Sequence, residues 1–188
     1  MSKDELITQI VDLELKDFIS TNDEKNKSIC QNHPENFILS RLAQWYIFDE
    51  EILSSYLQDI QQAHYQGRNI VRDKYAYIMA LTNPIICHYL AEPSPHKKIL
   101  SQQLTAMVIA YYQNLKAGGK TDYILKRPLY QHEETDQMIS VESYLLGEYY
   151  TYSEETLIRI LNYFNLCQKE KLNPIQKLLD LLMIEDYI

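Results

Sequence analysis

Glycine and proline are scarce in this 188-residue chain, at four and six residues. That scarcity excludes a turn-rich β architecture and a low-complexity disordered chain, both of which need many more of them. Cysteine is limited to Cys30, Cys87 and Cys167. An odd number of widely spaced thiols excludes a disulfide-stapled scaffold and offers no Cys-x-x-Cys metal pair. Long runs of lysine or arginine are missing, and the formal net charge is −8. Such a chain repels phosphate backbones, so nucleic acid is not an expected partner. No apolar run approaches membrane-spanning length, so a membrane is not expected either. Met1-Ser2-Lys3-Asp4-Glu5 is charged and leads into an amphipathic pattern, unlike a signal peptide. A cytoplasmic location with reduced thiols is the expectation.

What the chain has in plenty is tyrosine, 16 residues, and helical periodicity. A single all-α domain over 1–188 is expected, long enough to bury a substantial core. The first helix spans Lys3 to about Ile19 and ends in the polar stretch Ser20–Lys27. Pro34 suits the opening position of the second helix, which runs to about Ile47. The third spans Glu50–Gln66 and stops at Gly67, and Asn69 caps the fourth, about Ile70–Leu81. Asn83-Pro84 starts a short fifth helix, and a sixth covers about His96–Ala117. Residues 118–139 form the longest irregular stretch, the kind of loop that often carries function. Ser140 caps a seventh helix, about Val141–Tyr150; an eighth covers Glu154–Lys169; Asn173-Pro174 opens the last.

One segment occurs twice. Trp45-Tyr46-Ile47-Phe48-Asp49-Glu50-Glu51-Ile52-Leu53 returns as Tyr149-Tyr150-Thr151-Tyr152-Ser153-Glu154-Glu155-Thr156-Leu157, at an offset of 104 residues. Asp49 and Ser153 read as N-caps. The glutamate pairs after them place negative charge in the first turn, where the helix dipole favours it. Asn69 and Asn173 match at the same offset, each before a further helix. An internal duplication is the expectation, with pseudo-symmetric halves at about 3–81 and 96–184 and eight or nine helices in all.

Three helices carry a charge inside an otherwise apolar stripe. The stripes read Ile7/Ile10/Val11/Glu14/Phe18, Phe37/Ile38/Arg41/Trp45/Phe48 and Val141/Tyr144/Leu145/Glu148/Tyr152. The third, eighth and last helices have clean stripes, the last being Ile175/Leu178/Leu179/Leu182. A buried charge without a partner is very unfavourable, so Glu14, Arg41 and Glu148 are expected to share a polar centre. Lys74 also lies on an apolar side, where its long stem allows the ammonium to snorkel out to solvent. Tyr56, Tyr75, Tyr111 and Tyr144 sit at core spacing, and packing is their default role.

The residues just quoted fall into a series of short motifs. Glu14 lies in Ile10-Val11-Asp12-Leu13-Glu14; then come Cys30-Gln31, Phe37 and Arg41-x-x-Gln44-Trp45. The series continues with Tyr56-x-x-Asp59, Gly67-Arg68-Asn69, Lys74-Tyr75-Ala76 and Arg127-Pro128. It closes with Glu142-Ser143-Tyr144-x-x-Gly147-Glu148 and Thr151-Tyr152-Ser153. In order and spacing this series resembles an uncharacterised bacterial family, domain-of-unknown-function family 4125. The resemblance implies an all-α protein and brings no established activity. The chain departs from the family pattern at Asn26–Ile29, where a Gly-Arg is expected before Cys-Gln, and at Leu146, where an arginine is expected. A role for those two arginines is not carried over.

Other motifs carry less chemistry. Cys30-Gln31-Asn32-His33 sets a thiol near an imidazole, but Pro34 follows directly, so the segment reads first as a helix entry. His132-Glu133-Glu134-x-Asp136 lacks the His-Glu-x-x-His spacing, and no metal site is expected. Gly118-Gly119-Lys120-Thr121 lacks the earlier glycine and strand of a phosphate loop. No cofactor is implied.

Two functions fit. The first is a helical module binding an anionic small molecule or peptide, open to an enzymatic role. Its site would be built from Glu14, Arg41, Gln44, Trp45, Arg127, Glu148 and Tyr152, with the 118–139 loop as a lid. The second is an interaction or assembly protein whose buried charges only hold the helices in register.

Overall fold

A computed structural model describes residues 1–21, 34–82, 90–119, 127–135 and 138–185. Among these residues the fold is all-α: α1 (Lys3–Ser20), α2 (Pro34–Tyr46), α3 (Glu50–Tyr65), α4 (Ile70–Thr82), α5 (Pro95–Ala117), α6 (Val141–Tyr149), α7 (Glu154–Lys169) and α8 (Pro174–Glu185). The only extended pairing among them is an isolated antiparallel bridge between Thr135 and Met138. A 3-10 turn, Gln131–Glu133, lies within the stretch expected to be irregular. The short helix expected after Asn83 and the Cys30–His33 segment lie outside the described residues. No described helix is long and apolar enough to cross a membrane.

Helix boundaries follow local hydrogen-bonding chemistry. The first amides of a helix lack intrahelical acceptors, and short polar side chains supply them. Asp49 Oδ1 accepts from Ile52 N at 2.9 Å, and Ser153 Oγ accepts from Thr156 N at 3.2 Å. Ser140 Oγ accepts from Ser143 N at 3.0 Å. Ser2 and Glu5 form a reciprocal capping box at the start of α1. At α5 the cap is Ser94, with Pro95 in the first turn, one residue before the expected start. Gly67 ends the segment after α3 with φ +69°, a conformation that side chains with a Cβ disfavour.

The chain divides into two compact units, residues 1–73 with 177–188, and residues 74–176. The division falls inside α4 and inside α8, not in the 82–95 connection. In the first unit α1 packs on α2 and α3. Its core holds Ile10, Trp45, Leu53 and Ile60, and the Tyr56 ring stacks on Trp45 at 4.1 Å between centroids. In the second, α5 packs on α6 and α7 around Leu104, Leu157, Ile160 and Phe164. Tyr111 meets Phe164 edge-on and donates its hydroxyl proton to the Phe164 carbonyl.

Asn69 and Asn173 behave alike. Each accepts from first-turn amides through Oδ1, Asn69 from Arg72 N and Asn173 from Ile175 N and Gln176 N. Each also donates through Nδ2 to a backbone carbonyl of a neighbouring helix, Asn69 to Asp17 O and Asn173 to Tyr111 O. One side chain thereby caps a helix and fixes its approach to another.

Several expected core positions differ. Tyr75 is exposed, and Tyr144 is half-buried. Along α8 Ile175 is buried, whereas Leu178, Leu179 and Leu182 are half-buried. Periodicity marks which face is apolar; how deeply that face is covered depends on what packs against it.

Gly147 on α6 lies close against α4. A Cβ there would run into Ile78 Cγ1 and sit 3.0 Å from the Lys74 carbonyl. Replacing Gly147 by Ala is expected to destabilise the protein by about 1–3 kcal/mol through overpacking. Urea denaturation checks this; a midpoint equal to wild type would show that α4 and α6 can separate freely.

Candidate functional site

Helical spacing puts Glu14 on the buried stripe of α1, where it is 1 % exposed, and Arg41 on that of α2, where it is 4 % exposed. Arg41 grips the carboxylate with two bonds, Nε to Oε2 at 2.8 Å and Nη2 to Oε1 at 2.5 Å. Trp45 Nε1 donates to Oε2 at 3.1 Å, and the Tyr56 hydroxyl donates to Oε1 at 2.7 Å. The remaining edge of the guanidinium donates from Nη1 to Gln44 Oε1 at 2.7 Å. A single carboxylate therefore ties α1 to α2 and α3. Bidentate geometry and four donors offset the desolvation of a buried carboxylate. The Tyr56 hydroxyl was not foreseen as a participant, because its ring occupies an ordinary core position and only its tip reaches Glu14.

In the second unit Glu148 on α6 is 2 % exposed and Lys74 on α4 is 5 % exposed. Lys74 does not snorkel. Its ammonium donates to the Tyr144 hydroxyl at 2.7 Å and to Glu148 Oε2 at 3.4 Å. Both partners lie within its reach on α6, so the stem has no reason to reach for water. Tyr152 donates to Glu148 Oε1 at 2.6 Å, four residues along the chain. The Lys74 ammonium lies 4.1 Å from the Tyr144 ring centroid, and the Arg127 guanidinium lies 5.0 Å from the same ring. Arg127 is exposed and makes no ion pair among the described residues.

Burial pushes the Tyr112 hydroxyl up to about 12, with nearby Arg127 pulling the other way. Burial raises Tyr149 further, aided by the negative charge of Glu148. Taking a proton from either in this setting would place an unsolvated anion in an apolar wall.

Two further buried acids escaped the stripe pattern. Asp17 meets His64 Nε2 at 2.8 Å and accepts from Ile70 N at 3.0 Å. Burial raises its carboxyl above the usual range, opposed by His64 and by that amide. Asp73, 1 % exposed, takes Arg68 at 2.8 Å, with Arg72 at 3.9 Å. Both acids sit where α4 begins. The sequence signal for them is the cap Asn69 with Arg68 beside it, which marks a helix entry but not the acids that stabilise it.

The structure thus brings Glu14, Arg41, Gln44 and Trp45 together in one unit, and Glu148 with Tyr152 in the other, where Arg127 shares the Tyr144 ring with Lys74. In the loop, His132 stacks on Tyr130, while Glu133 and Glu134 accept from the Tyr130 and Ser140 amides. Asp136 lies outside the described residues. Among the described residues no group of three or more His, Cys, Asp or Glu side chains could hold a metal ion.

A family model described as a protein of unknown function, DUF4125, matches residues 4–186. The chain belongs to this family. No curated protein and no solved structure matches it. In this DUF4125 chain the short motifs that carry the resemblance supply every side chain of the two clusters: Glu14, Arg41, Gln44, Trp45 and Tyr56 in one, Lys74, Arg127, Tyr144, Glu148 and Tyr152 in the other. Gly147, between Tyr144 and Glu148 in those motifs, is the position where α6 meets α4 too closely for a side chain.

Replacing Arg41 by Ala leaves Glu14 buried without its cation, and a loss of about 3–5 kcal/mol is expected. Tyr56→Phe removes the charge-assisted bond to Glu14 and should cost about 1.5–3 kcal/mol. Thermal or urea melts of both variants check the order; an Arg41→Ala melt equal to wild type would remove the pair from its supporting role.

Proposed function

We propose that this DUF4125 protein is a helical binding module for a small anionic molecule or acidic peptide. The recognition surface we assign is the Tyr144 region of the second unit. The observation that carries the reading is the gathering of cations there: Lys74 and Arg127 both lie over one tyrosine ring, and Arg127 is exposed. Lys74 is committed to Glu148 and Tyr144. The exposed Arg127 guanidinium remains for a ligand, and its planar fork suits a carboxylate or phosphate. Tyr152 and Glu148 hold Lys74 in place. In the first unit we assign Glu14, Arg41, Gln44 and Trp45 to fixing α1, α2 and α3, since Glu14 and Arg41 balance each other. No reaction is assigned.

A second reading has support in α8. Its half-buried leucines and the exposed Met183 form an apolar margin on the first unit, as expected of an interaction or assembly protein.

Arg127 is exposed, so Arg127→Met should melt like wild type without ligand. In a thermal-shift screen of acidic metabolites, nucleotides and acidic peptides, at least one class should stabilise wild type, and Arg127→Met should weaken that binding about tenfold or more, by the scale of a charge-assisted bond. An empty screen, or hits that ignore the substitution, would overturn this reading. Concentration-dependent self-association in light scattering would then favour the second.

A further inference from the structure

The first unit carries a groove of about 270 Å³ that shares no residue with either charged cluster. Its walls are Ile7 and Thr8 of α1, Leu42, Ala43 and Tyr46 of α2, and Leu181 of α8, with Asp4 at one end. The volume lies at the lower edge of ligand pockets, which run about 300–1,000 Å³, so it suits a small occupant. At Tyr46 the apolar lining meets two cations. Lys3 Nζ donates to the Tyr46 carbonyl at 2.8 Å and lies 4.8 Å from the ring centroid. Lys177 Nζ lies 5.1 Å from the same centroid. Neither ammonium has a carboxylate within ion-pair distance among the described residues. Burial and the charge of Lys177 hold the Lys3 ammonium below its usual pKa, against the smaller pull of Asp49, Asp4 and Glu50.

We propose that this groove binds a small monocarboxylate with an apolar tail, the tail against Ile7, Leu42, Ala43 and Leu181 and the carboxylate at the Lys3 and Lys177 ammonium groups. Each part of that ligand answers a feature of the site. An apolar tail removes leucine and isoleucine surface from water. A negative head relieves the repulsion between two like charges gathered on one ring. Asp4 limits how much negative charge the groove accepts, which favours a monoanion over a dianionic phosphate. Carboxylate binding should also restore the Lys3 pKa towards its usual value, because an opposite charge nearby favours the protonated form.

The inference is independent of the Tyr144 surface and is tested on the full chain with 4-phenylbutyrate and its uncharged counterpart 4-phenylbutanol, by isothermal titration. The acid should bind at least tenfold more tightly than the alcohol. Lys177→Gln changes an exposed side chain and should keep the wild-type melt while weakening the acid at least fivefold. Lys3→Gln with Lys177→Gln should bring acid and alcohol to parity. Arg127→Met should leave acid binding unchanged, which separates failure of this site from failure of the Tyr144 surface. Equal binding of acid and alcohol to wild type, an unaffected Lys177→Gln, or loss of binding in Arg127→Met would each overturn the proposal. So would the absence of binding at millimolar acid.

Discussion

The carboxylate of Glu14 is the interaction on which the first unit depends. An ion of this kind survives in the interior only if its lone pairs are met by donors and its charge by a cation. Arg41, Trp45 and Tyr56 meet both needs at once, from two helices. Apolar residues could pack α1 against α2 and α3 in several nearly equivalent registers. A bidentate guanidinium with an indole and a phenol on the same two oxygens admits one. The role of the cluster is therefore better described as selection of a single packing than as net stabilisation.

The second unit solves the same problem with different groups and a different remainder. Lys74 is a compact charge with three donors, and it divides them among a carboxylate and a tyrosine hydroxyl. Glu148 then accepts from Tyr152, and Tyr144 presents its ring to Lys74 and Arg127. At the edge of the Tyr144 cluster lies the exposed guanidinium of Arg127. The many tyrosines acquire a meaning here. Tyr56 and Tyr152 donate to buried carboxylates, and Tyr144 offers a flat face to cations.

Some of this was legible in the residues alone. Asp49, Asn69, Ser140 and Ser153 could be read as caps because the donor each serves lies within three residues, a distance at which sequence is nearly structure. The burial of Glu14, Arg41 and Glu148 could be read because 3.6-residue periodicity assigns a face without reference to any partner. Lys74 was misjudged by the same rule. Its position on the stripe was correct, but a long stem is compatible with either burial or escape, and the choice lay with Tyr144 and Glu148, some seventy residues away. Tyr75 was misjudged for the opposite reason, because an apolar side is wider than the surface that covers it.

The sequence by itself determined an all-α chain, the positions at which most helices begin, and the inward facing of Glu14, Arg41 and Glu148. These follow from interactions between residues a few positions apart, whose geometry the helix fixes in advance. Only the tertiary structure decided who pairs with whom: Glu14 with an arginine 27 residues on and a tyrosine 42 residues on, Asp17 with His64, and Lys74 with Glu148. It alone decided that Lys3 and Lys177 would share one tyrosine ring beside an apolar groove. The physical reason is that a partner across a helix interface is chosen by the docking of whole elements. Docking is settled by the summed burial of many side chains, which no short stretch of sequence contains.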